Sequence, residues 1–150
     1  IVWSADGQTM YFIDTPTRQV KAYDYDTITA QIFNPRVVVT IPEGEGQPDG
    51  MAIDAEGKLW VALWGGYGVG RFDPETGQML AKVEVPAPNV TSCSFAGRQL
   101  DSLFITTARS GMKPEALSKY PKSGSIFLAR PGVQGQAFTR FSGLTLLEAL

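Results

Sequence analysis

Asp49 stands between Pro48 and Gly50, at the end of Gly44-Glu-Gly-Gln-Pro-Asp49 and just ahead of the β-rich run Met51-Ala-Ile-Asp54. The proline fixes the backbone before it and the glycine frees the backbone after it, so a short carboxylate here can be aimed at one point. Two readings stand: a solvated turn aspartate, the commoner role, and a ligand for a hard divalent cation, which binds through oxygen. The chain has no histidine. That excludes Ser-His and Cys-His catalysis, imidazole ligation and the usual proton shuttle near neutral pH. Chemistry must therefore run on carboxylates, amides, hydroxyls or a metal ion.

Other polar and aromatic residues allow less specific readings. Trp64 and Tyr67 flank Gly65-Gly66 and offer a stacking rim for a sugar-like ligand, or packing between neighbouring elements. Arg109 can clamp a carboxylate bidentately, or pair with a neighbouring acid. Asp24-Tyr-Asp26 has the first two oxygens of a calcium loop, but Ile28 and the lack of the required glycine break that pattern, leaving a strand-end turn. Gly65-Gly-Tyr-Gly-Val-Gly70 is not a dinucleotide fingerprint, because it joins two β-rich runs and opens no helix. The single cysteine, Cys93, cannot form an internal disulfide, which fits a reducing, cytoplasmic setting.

The elements that would position these residues recur along the chain. Ile1 to Asp14 aligns with Met51 to Leu63 and, more loosely, with Cys93 to Thr106. Each copy is a β-rich run, a turn at Asp6-Gly7, Glu56-Gly57 or Gly97, and a second β-rich run, which makes a hairpin. Third runs follow at Gln19–Asp24, Gly68–Asp73 and Gly124–Ala129, and fourth runs at Arg36–Thr40, Met79–Val85 and Gln136–Phe141. Four short antiparallel strands per repeat describe a propeller blade. The chain is read as all-β, with three four-stranded blades near 1–41, 49–86 and 91–142. An ordinary β-sandwich is the competing arrangement. Only Lys113 to Lys119 has the makings of a helical turn.

Strand alternation puts the starts of the first strands and the second-to-third connections on one face. Asp49, Trp64, Tyr67 and the Arg109 to Ser123 loop fall there, and the Asp6-Gly7 and Glu56-Gly57 turns fall on the other. The first-blade counterpart of Asp49 would lie two positions before Ile1.

The 150 residues carry 13 basic and 15 acidic side chains, a net charge of −2 without a basic patch. Nucleic acid and anionic membrane surfaces are therefore not expected partners. No apolar run approaches the roughly 20 residues of a membrane span.

Tyr11-Phe-Ile-Asp-Thr-Pro-Thr-Arg18, Lys21-Ala-Tyr-Asp-Tyr-Asp26, Gln47-Pro-Asp-Gly-Met-Ala-Ile-Asp54, Gly57-Lys-Leu-Trp-Val-Ala-Leu-Trp64, Arg71-Phe-Asp-Pro-Glu-Thr-Gly77, Thr91-Ser-Cys-Ser-Phe95 and Leu103-Phe-Ile-Thr-Thr-Ala-Arg109 together resemble the senescence-marker-protein, regucalcin and gluconolactonase family. The resemblance runs from residue 1 to about residue 142. It implies a six-bladed β-propeller, here its C-terminal half, that binds one divalent cation (calcium, zinc, magnesium or manganese) and hydrolyses sugar lactones. The family's ligands are a first-blade glutamate, an asparagine and the aspartate of Pro-Asp-Gly; only the last maps here, onto Asp49, as metal ligand and catalytic carboxylate. The other two would belong to a missing N-terminal half. Trp64, Tyr67 and Arg109 are the candidate substrate contacts. The alternative is a non-enzymatic metal-binding or scaffolding propeller.

Overall fold

The computed structural model describes residues 1–138. Its strands form three antiparallel meanders in sequence order. The first blade comprises β1 (Val2–Trp3), β2 (Thr9–Asp14), β3 (Gln19–Tyr25) and β4 (Ile32–Thr40). The second comprises β5 (Gln47–Ile53), β6 (Leu59–Trp64), β7 (Gly68–Phe72) and β8 (Met79–Glu84). The third has β9 (Val90–Ala96), β10 (Ser102–Thr107) and β11 (Ile126–Ala129), with the short helix α1 (Pro114–Lys119) between the last two. Sequential order within every sheet is the blade pattern, not the crossed order of a sandwich.

The first strands β1, β5 and β9 lie side by side and line a cavity of about 390 Å³ between the blades. The middle blade is covered on both faces, which is why Leu59-Trp-Val-Ala-Leu63 is apolar without interruption. Trp60 and Ala62 face the third blade, where they meet Phe95, Leu103 and Ile105. Leu59, Val61 and Leu63 face the first blade, where they meet Val20, Val39 and Ile41. The end blades have one covered face each, so Phe12 of the first and Phe104, Ile126 and Leu128 of the third reach solvent.

The second blade closes on Asp54, whose side chain is fully buried. One oxygen accepts from the backbone N–H groups of Glu56 (3.0 Å) and Lys58 (2.9 Å), tightening the hairpin. The other accepts from Trp60 Nε1 (2.9 Å) and Arg71 Nε (2.8 Å). Arg71 also bonds Glu56 at 2.6 Å and lies over the Trp60 ring.

The expected fourth strand of the third blade is corrected in part. Gln136 to Phe138 form no strand, and the remainder of that run, 139–141, lies outside the described residues, as does the end of the 91–142 blade. After Ala129 the chain crosses toward the other blades. Ala55 N–H donates to Gln134 O (2.9 Å), Gly135 N–H to Leu100 O (2.7 Å), and Gln136 Nε2 to Trp3 O (3.1 Å). The crossing needs glycine, since a Cβ on Gly135 would stand 2.2 Å from Phe95 Cβ.

Replacing Asp54 by alanine leaves Arg71 and the indole N–H without their buried acceptor. Asp54→Ala is expected to lower the unfolding free energy by about 3–5 kcal/mol, read from urea denaturation followed by tryptophan fluorescence.

Cys93 is buried, its thiol donates to Trp60 O at 3.3 Å, and burial pushes its pKa up to about 12. At pH 8 an aromatic disulfide reagent should leave it unmodified in the folded protein and label it stoichiometrically in urea.

Candidate functional site

Asp49 lies where the pairing of β5 with β6 slips. Pro48 faces Leu63 and Met51 faces Val61, so β5 spends one residue more than its partner over Asp49-Gly50. A bulge of this kind breaks the regular alternation and re-aims a side chain. Gly50 is required by close approach to the next blade, because a Cβ there would meet Ser92 Oγ at 2.3 Å. Thr15 Oγ1 donates to Pro48 O at 2.8 Å, anchoring the backbone just before the bulge. The Asp49 carboxylate itself makes no hydrogen bond or ion pair among the described residues. Partial burial pushes its pKa above the usual carboxylate value.

The third blade repeats the slip: Val90 pairs with Thr107 and Ser92 with Thr106, leaving Thr91 at the Asp49 position. Thr91 Oγ1 lies 2.7 Å from Thr106 Oγ1, so this counterpart is satisfied within its own blade. Repetition therefore produces the geometry in both blades, and the unpaired carboxylate in one.

Other sequence-derived candidates share the Asp49 face. Gln47 pairs with Trp64, Trp64 bridges Asn89, and Asn89 Nδ2 donates to Ser110 O at 3.1 Å. These links join the start of β5, the Trp64–Tyr67 connection and the loop after β10. The Asp6-Gly7 and Glu56-Gly57 turns sit at the opposite ends of their strands. Trp64 and Tyr67 line a groove of about 510 Å³ with Asn89, Met112, Lys113 and Tyr120. Tyr67 holds a left-handed backbone, φ 60°, that tyrosine rarely adopts, and its ring lies 5.4 Å from that of Tyr120.

Neither Asp49 nor Arg109 lines this groove. Arg109 is exposed and runs past Gly124, where a Cβ would stand 2.9 Å from Arg109 Cγ. The structure thus joins Trp64 with Tyr67 and leaves Arg109 apart. Sequence reasoning missed Asn89 and Tyr120. Asn89 sits in Pro86-Ala-Pro-Asn-Val-Thr91, which leads into β9 and so falls on the face of the first-strand starts, but only the Ser110 contact reveals its link. Tyr120 follows α1 and carries no sequence signal for its pairing.

A divalent cation finds one suitable oxygen donor group here in Asp49. No cluster of three or more Asp, Glu, Cys or His side chains occurs among the described residues. The donor set fits one ligand of a larger shell, since calcium takes about six to eight oxygens.

Residues 1–109 match the family described as SMP-30/Gluconolactonase/LRE-like region. Regucalcin of Homo sapiens is 45% identical over 142 residues, covering 94% of this chain and 48% of the relative. A regucalcin from Agrobacterium tumefaciens, described as a calcium-binding protein, superposes with a TM-score of 0.82 at 30% identity over 92% of this chain and 46% of that one. A gluconolactonase from Xanthomonas campestris superposes with a TM-score of 0.58 at 30% identity over 69% of this chain and 32% of that one. The chain spans about half the length of the curated relatives it matches.

With no cation present, the raised pKa of Asp49 has a definite sign. Below its unfolded value the group is protonated in both states and costs nothing. As pH rises through the folded value, a partly desolvated carboxylate must ionise and stability is lost. Asp49→Asn is therefore expected to stabilise at pH 7, by under about 1 kcal/mol because water still reaches and screens the carboxylate, and to have no effect near pH 3. Urea midpoints at the two pH values check this.

Proposed function

The chain belongs to the SMP-30, gluconolactonase and LRE-like family, and we propose that it is the C-terminal half of a six-bladed propeller that hydrolyses sugar lactones with one divalent cation. The observation that carries this reading is the unpaired Asp49 carboxylate, held by a bulge on an inner strand at the face where three connections meet. Support for a cation and a lactone comes from relatives: one is described as calcium-binding and another as a gluconolactonase.

In this reading Asp49 holds the cation, with the other ligands supplied by blades outside this chain. The cation, calcium, zinc, magnesium or manganese, supplies Lewis acidity toward the lactone carbonyl. Asp49 is also the nearest candidate on this chain to accept a proton from attacking water. Trp64 and Tyr67 present aromatic faces along the groove for the ring of the substrate, and Arg109, outside that groove, is the candidate for the carboxylate of the aldonic acid product. A buried unreactive thiol and the absence of histidine are compatible with a hydrolase of this type in the cytoplasm. No helix among the described residues is long and apolar enough to cross a membrane.

The test compares this chain with a completed propeller. Calorimetric titration with calcium, zinc and manganese, beside gluconolactone hydrolysis at pH 7 with and without chelator, is the measurement. The completed propeller should bind metal and turn over, and Asp49→Ala should abolish both. The 150-residue chain alone should bind weakly and hydrolyse nothing, since one carboxylate leaves most of the ion's dehydration uncompensated. Tight binding and full turnover by the chain alone would overturn this reading. Metal uptake without hydrolysis by the completed propeller would favour the non-enzymatic alternative.

A further inference from the structure

The segment that leads into Asp49 is gathered by a single side chain from the neighbouring blade. Arg18 closes the short 3-10 turn Thr15–Thr17 between β2 and β3 and holds a left-handed backbone, φ 60°. Its own backbone is paired to the segment, since Ile41 N–H donates to Arg18 O at 2.9 Å. The guanidinium then takes three carbonyls of the same segment: Nε donates to Ile41 O at 3.0 Å, and Nη2 donates to Pro42 O and, at 2.6 Å, to Gly46 O. Arg18 has no carboxylate partner among the described residues, so these donors serve backbone carbonyls instead of an ion pair.

The held segment touches both parts of the candidate site. Toward Asp49, Gly46 is followed by Gln47 and Pro48, and Pro48 O is taken by Thr15 from the same turn as Arg18. Toward the aromatic rim, a Cβ on Gly46 would stand 2.7 Å from Gly66 N and 2.9 Å from Trp64 O, so the segment lies directly against the Trp64–Tyr67 connection. Glu45 is tied from a third side by Lys82 of β8 at 3.1 Å. Residues 41–46 contain two glycines with positive φ and no regular structure, so their conformation is not set by their own sequence.

We propose that Arg18 is the positioning residue for Asp49: by drawing the carbonyls of Ile41, Pro42 and Gly46 to one guanidinium, it sets the start of β5 and keeps the Asp49 carboxylate in register with the cation and with the aromatic rim. The inference rests on the reading of Asp49 as a cation ligand. A planar fork suits this task because it can serve several acceptors in one plane, whereas a lysine offers one point charge.

The experiment uses the completed propeller with Arg18→Met and Arg18→Lys. Amide exchange of the peptide covering Glu43–Asp49, measured without metal, should quicken about tenfold in Arg18→Met, while exchange in Leu59–Leu63 stays as in the wild type. The dissociation constant for manganese should rise about 10–100-fold, the range for residues that orient a metal ligand from behind. Arg18→Lys should fall between wild type and Arg18→Met on both measures. Hydrolysis of gluconolactone should recover at saturating manganese; because metal would also rescue a generally destabilised fold by mass action, the unchanged exchange in Leu59–Leu63 without metal is what separates the two. Unchanged exchange in Glu43–Asp49 overturns the proposal, and so does faster exchange with manganese affinity within about twofold of wild type. A wild-type propeller that takes up no manganese sinks the assignment of Asp49 and the proposal with it; the exchange measurement then separates that failure from a failure of the Arg18 contacts.

Discussion

Asp54 is the carboxylate on which the middle blade is built. A fully buried charge is costly unless it is surrounded by donors, and Asp54 has four: two backbone N–H groups, an indole and a guanidinium. Each donor fixes a different level of structure. The backbone pair sets the β5–β6 hairpin, and the indole bond orients Trp60 toward the third blade. The guanidinium bond stitches β7 to the hairpin. Because the middle blade is covered on both faces, any slip of that hairpin would reach both apolar interfaces at once. The Asp49 bulge lies at the other end of the same strand, β5, and inherits its register from this end.

The division of labour between the two ends follows from the strand period. Side chains alternate along a strand, so a buried face demands fixed register. The Asp54 end satisfies its polar groups internally. At the Asp49 end the bulge interrupts alternation and leaves a carboxylate without a partner among the described residues. Thr91 demonstrates that the bulge alone does not require this, since in the third blade the same slip ends in a threonine pair. The unsatisfied acid is a property of residue type placed on a repeated geometry.

Much of the fold was legible because repetition multiplies weak signals. No single hairpin here is diagnostic, but three aligned hairpins with glycine turns gave the blades and their order. The face of the site was legible for the same reason: alternation and turn placement assigned Asp49, Trp64 and the loop after β10 to one end. What could not be read depended on contacts distant in sequence. The crossing of Gly135 under Phe95, just ahead of the expected run Gln136–Phe141, could not be read because its partners are Leu100 and the Asp54 hairpin. Arg109 looked equivalent to Trp64 and Tyr67 on the rim, yet its stem follows Gly124 away from their groove. Arg18 sits in a second-to-third connection and so on the face of Asp49, but nothing in Thr15-Pro-Thr-Arg18 signals a fork aimed at three carbonyls.

The crossing after β11 also constrains the order of folding. Gln136 reaches back across 133 positions to Trp3, and Gln134 and Gly135 reach to the middle blade and the third hairpin. Within each blade, pairing is between sequence neighbours and can form quickly; these last stitches are far less local, and closing such long loops is slow. On a ribosome the first two blades can therefore pair their own strands while the region around Trp3 and Asp54 still awaits the segment that covers it. Chaperone contact during synthesis would be concentrated on that end of the blades, whereas the hold of Thr15 and Arg18 on the segment before Asp49 is made within the first 50 residues and can form early.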